Sequence, residues 1–193
     1  MISAIILAAG QSRRMGQPKM LLPWGKSSMI GHVITIFLRA RVEDILVITG
    51  GSRELVEAAT ASYPIRSIYN DDYAQGEMLS SIQCGLRAMP EGVEATLIGL
   101  GDQPQVQERS VRLICEAYQA EKSKLVVPSF QRRRGHPWLV ARPLWEELLR
   151  MKPPESPRDF LGRHAGEIHY VEVGTPSILA DLDTPEDYLR SRP

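Results

Sequence analysis

Short, almost continuously apolar runs recur along this chain, separated by longer amphipathic stretches, and that alternation decides the fold class. Ser3–Leu7 (SAIIL), Asp44–Thr49 (DILVIT), Ile65–Tyr69 (IRSIY), Ala95–Leu100 (ATLIGL) and Leu125–Pro128 (LVVP) read as strands. The first, second and fourth are nearly all apolar, as strands covered on both faces must be. Met29–Arg39, Arg53–Ala61, Met78–Ala88 and Glu108–Ala120 suit helices, with Ser52 at an N-cap position and Gly92 in a post-helix turn. Strands alternating with helices imply βαβ crossovers. The expected fold is α/β: a Rossmann-like, doubly wound, mostly parallel sheet with helices on both faces.

The rhythm changes after Pro128. A basic loop leads to Gly135-His136-Pro137, then to the apolar run Trp138–Val140 and a helical pattern over Pro143–Arg150. A proline-rich turn (Lys152–Pro157) precedes a helix at Arg158–His164 and a strand at Ile168–Val173. These elements predict a small α+β extension facing the substrate. A chain of 193 residues fits a single domain with its own core.

Composition removes several function classes. Lys plus Arg and Asp plus Glu both number 23, so nothing global favours nucleic acid or an anionic membrane. Cys84 and Cys115 form no C-x-x-C pair and are expected to be buried small hydrophobes. The apolar stretch from Ile2 to Gly10 is too short for a signal peptide or a membrane span, so the expected compartment is the cytoplasm.

Chemistry is concentrated in five segments. Leu7-Ala8-Ala9-Gly10-Gln11-Ser12-Arg13-Arg14-Met15-Gly16-Gln17-Pro18-Lys19 follows the first strand, where an open α/β sheet binds its ligands. Its small residues let backbone N–H groups approach a phosphate or base edge, and Arg13, Arg14 and Lys19 suit a triphosphate. The string is neither G-x-G-x-x-G nor G-x-x-x-x-G-K-[ST]. Gly101-Asp102-Gln103-Pro104 ends the fourth strand, where a carboxylate is placed to hold a hard cation; a tight turn before a helix is the plain alternative. In Asp181-Leu182-Asp183-Thr184-Pro185-Glu186-Asp187, a capped helix explains Thr184 to Asp187 but not the two preceding carboxylates, which project to one side of an extended segment. Arg134-Gly135-His136-Pro137 follows Arg132 and Arg133, and a lone histidine on such a loop is more often structural than catalytic. Finally, Asn70 precedes Gly76-Glu77-Met78-Leu79-Ser80-Ser81, and Asn70 also suits a plain turn.

Taken in order, these segments resemble the MobA-like nucleotidyltransferases, with a nucleotide-diphospho-sugar-transferase-like fold. L-A-A-G and G-D-Q-P resemble the cytidylyltransferase (MocA-like) branch, whereas the guanylyltransferase branch typically shows L-A-G-G. Glu77 and Leu79 depart from the family's pattern. The resemblance implies a nucleotide-binding part at 1–128 and an acceptor-facing part with the second metal segment at 129–193. It implies that Leu7, Ala8, Ala9, Gly10, Asn70, Ser80, Ser81 and Gly101 form the nucleotide pocket. Arg13, Arg14 and Lys19 would hold the phosphates, with Arg14, Lys19 and Asp102 catalytic. Asp102, Asp183 and Asp181 would bind Mg2+, and Arg134, Gly135, His136 and Pro137 the acceptor. The implied reaction joins CTP to molybdenum-molybdopterin and releases pyrophosphate, with a molybdenum hydroxylase as a possible client.

Three other functions are weighed against this one. The same fold can use GTP or another acceptor, such as a sugar phosphate. A non-catalytic accessory protein for a molybdenum hydroxylase would not require Asp102, Asp183 and Lys19. A nicotinamide-dependent oxidoreductase would place an acidic residue after the second strand, where Thr49-Gly50-Gly51 stands.

Overall fold

The computed structural model describes every residue except Arg13, Arg14 and Gly76. β1 (Ile2–Ala8) lies inside the sheet and six of its seven residues are buried. After it come the short strands β2 (Pro23–Trp24) and β3 (Ser27–Ser28), then helix α1 (Met29–Arg39), whose N-cap Ser28 accepts a hydrogen bond from the Gly31 N–H. β4 (Asp44–Thr49), α2 (Arg53–Thr60), β5 (Arg66–Tyr69), α3 (Glu77–Arg87), β6 (Ala95–Leu100), α4 (Glu108–Glu121) and β7 (Leu125–Phe130) follow. The remainder holds β8 (Arg133–Arg134), β9 (Trp138–Ala141), α5 (Trp145–Arg150), α6 (Pro157–Arg163), β10 (His169–Glu172) and α7 (Pro185–Ser191).

Strand order in the main sheet is β10-β7-β9-β6-β1-β4-β5, with β8 paired to β7. β1 pairs in parallel with β4 and β6, placing Ile5 opposite both Leu46 and Ile98. Only β9 on this path opposes its neighbours, running antiparallel to β6 and β7. The fold is therefore α/β with a mostly parallel sheet, as its alternating pattern predicts. The extension after residue 128 is interleaved with that sheet: β9 lies in its interior, and all four of its residues are buried.

Alternation along β1 feeds two cores. Ala4, Ile6 and Ala8 join the side of α1 and α4, with Ile34, Phe37, Val111 and Ile114. Ile5, Leu7 and Ala9 join the opposite side, with Ile82 of α3, Leu148 of α5 and Phe160 of α6. A third cluster joins Met15, Leu22, Trp24 and Met29 to Leu182, with Tyr188 of α7 packed against it. The Tyr188 hydroxyl also donates to the Pro23 carbonyl at 2.7 Å.

Two local expectations differ in detail. Ser52 does occupy the N-cap position of α2, but its side chain makes no capping hydrogen bond. Cys84 and Cys115 are half-buried rather than buried, and both are free thiols. Burial still pushes the Cys115 thiol up to about 12, well outside the reactive range. Among the described residues no helix is long and apolar enough to cross a membrane.

α6 is held to the sheet by Phe160, which is fully buried with its ring 6.2 Å from that of Trp138 and 4.8 Å from that of His164. Phe160→Ala is expected to cost about 3–5 kcal/mol of stability in urea denaturation, since it deletes most of that anchor. A loss below about 1 kcal/mol would mean that α6 is not docked as described.

Candidate active site

The site lies where the winding of the sheet reverses. From β1 the chain moves outward to β4 and β5, then returns through α3 to β6 on the other flank of β1. The segments leaving β1 and β6 therefore diverge and leave a crevice beyond the carboxyl ends of the strands. Backbone bonds fix their starts: Gly101 N–H donates to the Leu7 carbonyl at 3.0 Å, and Gly51 N–H to the Ala9 carbonyl at 3.3 Å. A side chain on Gly50 would collide with the backbone of Ala9, so the end of β4 must be this small for the loop after β1 to lie against it.

Three distant parts of the sequence meet in this crevice. Lys19 opens a single 3-10 turn (Lys19–Leu21), and its ammonium lies between Asp102, just beyond β6, and Asp183, just before α7. Lys19 Nζ is in direct contact with Asp102 Oδ2 and 3.2 Å from Asp183 Oδ1. Burial alone would depress the lysine, but the two carboxylates outweigh it and raise its pKa above the ordinary value. Lys19 is therefore an ammonium throughout the physiological range.

Leu182 explains how the third segment is aimed. It is 1% exposed in the small core, and the residues on either side of it bear the two carboxylates. Asp181 accepts a hydrogen bond from Gln103 Nε2 at 2.9 Å. Gln103 is 2% exposed, and its Oε1 is buried without a hydrogen-bond partner among the described residues. The Thr184–Asp187 capping box fixes the start of α7 immediately afterwards.

His136 also belongs to this group, since it feels the charges of both Asp181 and Asp102. Burial dominates over those carboxylates and pushes the imidazole down to about 4, so it is neutral near pH 7. Its backbone N–H donates to the Ile178 carbonyl at 3.1 Å. A Cβ on Gly135 would collide with that same carbonyl, so the loop before β9 needs glycine there to pack so closely.

Two cavities open from this centre. One of about 270 Å³ is lined by Leu7, Ala9, Gly10, Lys19, Ser81 and Asp102, together with Tyr73 and Met78. The other, about 660 Å³, is lined by Arg132, Arg134, Gly135 and His136 and, across from them, by Arg158. Glu77 and Met78 border both cavities.

Other residues singled out from the sequence sit behind these walls. Ala8 packs into the α1 and α4 core. A Cβ on Gly101 would press on Ile30 and Met20. Asn70 is buried and closes the turn between β5 and α3, its amide donating to Ser80 Oγ at 2.9 Å and Ser81 Oγ at 3.0 Å. Pro137 is buried, and Arg133 does not line the larger cavity. Arg13 and Arg14 lie outside the described residues. Sequence reasoning missed the tie from Gln103 to Asp181, although Gln103 stood inside a chosen motif. It also missed Arg158, for which a proline-flanked stretch gives no signal.

The donor set suits a hard divalent cation. Asp102 and Asp183 already converge on a single positive charge, and both offer only oxygen. A hard divalent cation can be held by one or two carboxylates, its shell being completed by water and substrate phosphates.

Comparison with known proteins bears on the family and the fold. Residues 4–168 match the family model described as the MobA-like NTP transferase domain. The chain is 30% identical over 191 residues to the molybdenum cofactor cytidylyltransferase of Escherichia coli K12, covering 99% of this chain and 95% of that one. A nucleotidyl transferase from Methanothermobacter superposes with a TM-score of 0.83 at 28% identity, over all of this chain and 96% of the other. A manganese complex of Rv0371c from Mycobacterium tuberculosis superposes at 0.82 with 25% identity, covering 98% and 96% of the two chains. With the family model spanning most of its length, the chain belongs to the MobA-like NTP transferase family.

Proposed function

We propose that this protein is a cytidylyltransferase that joins CTP to molybdenum-molybdopterin, forming the cytosine dinucleotide cofactor and pyrophosphate. The observation that carries this reading is the convergence of Asp102 and Asp183 on Lys19 at the switch point. The choice of acceptor is supported by the near full-length similarity to the E. coli enzyme. The choice of base is supported by the L-A-A-G string ending in Gly10, where the guanylyltransferase branch typically shows L-A-G-G.

In the reaction, a phosphate oxygen of the acceptor forms a bond to the α-phosphorus as the bond from that phosphorus to the bridging oxygen breaks. Pyrophosphate leaves with the electron pair. The attacking phosphate is already ionised near neutral pH, so alignment and charge neutralisation provide most of the acceleration. Mg2+, held by Asp102 and Asp183, would supply positive charge against the phosphate oxygens. Lys19 would serve the triphosphate with its ammonium, and Arg13 and Arg14 are proposed for the same phosphates. Asp102 is then both metal ligand and catalytic residue. Ala9, Gly10 and Ser81 border the nucleoside, while Asn70 holds Ser80 and Ser81 in place behind it. Neutral His136 and Arg134 orient the acceptor. The enzyme would act in the cytoplasm and pass its product to a client molybdenum hydroxylase.

Pyrophosphate release with Mg2+ and molybdenum-molybdopterin, compared across CTP, GTP, ATP and UTP, tests the base and the acceptor. CTP is expected to be preferred; preference for GTP would move the protein to the sister branch. Asp102→Asn is expected to lower kcat by about 10²–10³-fold, as when other groups that stabilise transition-state charge are removed, with the secondary structure retained by circular dichroism. Wild-type turnover in that variant would contradict the metal role of Asp102.

His136 gives a test in pH. Its folded pKa of about 4 lies below the unfolded value of about 6.5. The unfolded chain therefore binds the extra proton first as pH falls. The contribution to stability is complete above about pH 6.5 and is lost as pH drops towards about 4. Proton NMR of the chelator-treated protein should show the His136 ring neutral at pH 6, and a midpoint near 6.5 would rule out the downward shift.

A further inference from the structure

The geometry points to Gln103 as a positioning residue. Its side-chain amide holds Asp181 off the metal and near His136, so that of the two carboxylates beside Leu182 only Asp183 joins Asp102 at the cation. This assignment rests on the proposed metal-assisted transfer, but on neither its base nor its acceptor. It departs from the ligand set that the family resemblance implies, in which Asp181 is a third metal residue.

Carboxylates at i and i+2 share one side of an extended segment, yet these two have different partners. Asp183 Oδ1 is 3.2 Å from Lys19 Nζ, the same ammonium that touches Asp102. Asp181 forms no ion pair with Lys19; its Oδ1 accepts from Gln103 Nε2 at 2.9 Å. A cation taking the place of that ammonium therefore meets Asp102 and Asp183 already converged, while Asp181 would first have to give up the Gln103 bond. His136 is what Asp181 acts on instead. Its backbone N–H donates to the carbonyl of Ile178, three residues before Asp181, and its ring feels the charge of Asp181 more than that of Asp102.

Stability does not account for a glutamine here. Gln103 is 2% exposed with only Nε2 engaged, and its Oε1 is buried without a hydrogen-bond partner among the described residues. A half-satisfied buried amide costs free energy that an apolar side chain of the same length would avoid. Asp181 is exposed, so water can solvate it if the amide is removed. The turn after β6 needs only the backbone of Gln103: its N–H donates to the Leu100 carbonyl at 3.3 Å, and its carbonyl accepts from the Val106 N–H at 3.2 Å. What the side chain alone supplies is the tie from the end of β6 to the segment before α7.

Two measurements on the protein without nucleotide test this. In a Mn2+ titration followed by paramagnetic broadening of the Gly101 amide signal, Asp183→Asn should weaken the metal about tenfold or more, while Asp181→Asn and Gln103→Met stay within about threefold of wild type. Were Asp181 a ligand with Gln103 behind it, both of those variants would instead lose about 10–100-fold, and that result overturns the assignment. Gln103→Met should also melt within about 3 °C of wild type or above it. In NMR at pH 7, the His136 ring signals should move in the same direction in Gln103→Met and Asp181→Asn, and the double variant should move them no further than Asp181→Asn alone. Additive shifts, or unmoved signals in Gln103→Met, would mean that Gln103 does not act through Asp181. If metal affinity and ring signals behave as expected but CTP is not joined to molybdenum-molybdopterin, the roles of Gln103 and Asp181 stand and the proposed substrates are wrong.

Discussion

β1 can exist only as an interior strand, and the position of the site follows from that. Its side chains enter the two cores alternately, so helices must cover both faces of the sheet. Right-handed crossovers can satisfy both faces only if the chain winds outward on one flank of β1 and returns on the other. The reversal falls between β1 and β6, which places the segment after Ala8 beside the segment after Leu100. The crevice is thus a consequence of burying Ala4 to Ala9, before any polar residue acts within it.

Charge is then distributed unevenly across the crevice. Among the described residues, the carboxylates of Asp102 and Asp183 meet the Lys19 ammonium, while Asp181 beside them accepts from the Gln103 amide. The guanidinium groups of Arg132, Arg134 and Arg158 stand apart from them in the larger cavity. His136 lies between the two regions and, being neutral, links them without joining either charge set. An anionic ligand near the carboxylates is favourable only when it brings or recruits positive charge, whereas the basic end carries no such requirement.

The fold was legible because the apolar runs of β1, β4 and β6 are long enough, and the helical periods between them clear enough, to exclude most alternatives. β9 shows the limit. Trp138–Ala141 is a short apolar run that is buried in the sheet, yet nothing in four residues reports strand direction or which neighbours it separates. At the site, the motifs drew attention to Lys19, Asp102 and Asp183, but spacing alone could not bring positions so distant in sequence together. For Asn70 the sequence leaves a pocket role and a plain turn both open, and in the structure it closes the turn after β5 with its amide on Ser80 and Ser81. Arg158 left no trace because its place at the larger cavity comes from where Phe160 docks α6, a tertiary contact.

A small core links the chemistry to the chain's last segment. Leu182 packs with Met15, Leu22, Trp24 and Met29, which come from the stretch that also carries Lys19. The Tyr188 hydroxyl bond to Pro23 ties α7 to the same stretch. Lys19 and Asp183 are therefore partners in packing as well as in charge, and displacement of one segment must carry the other. Asp102, by contrast, is fixed by the rigid end of β6. The crevice consequently has one wall built on the end of β6 and one composite wall in which Lys19 and Asp183 stand on a shared core.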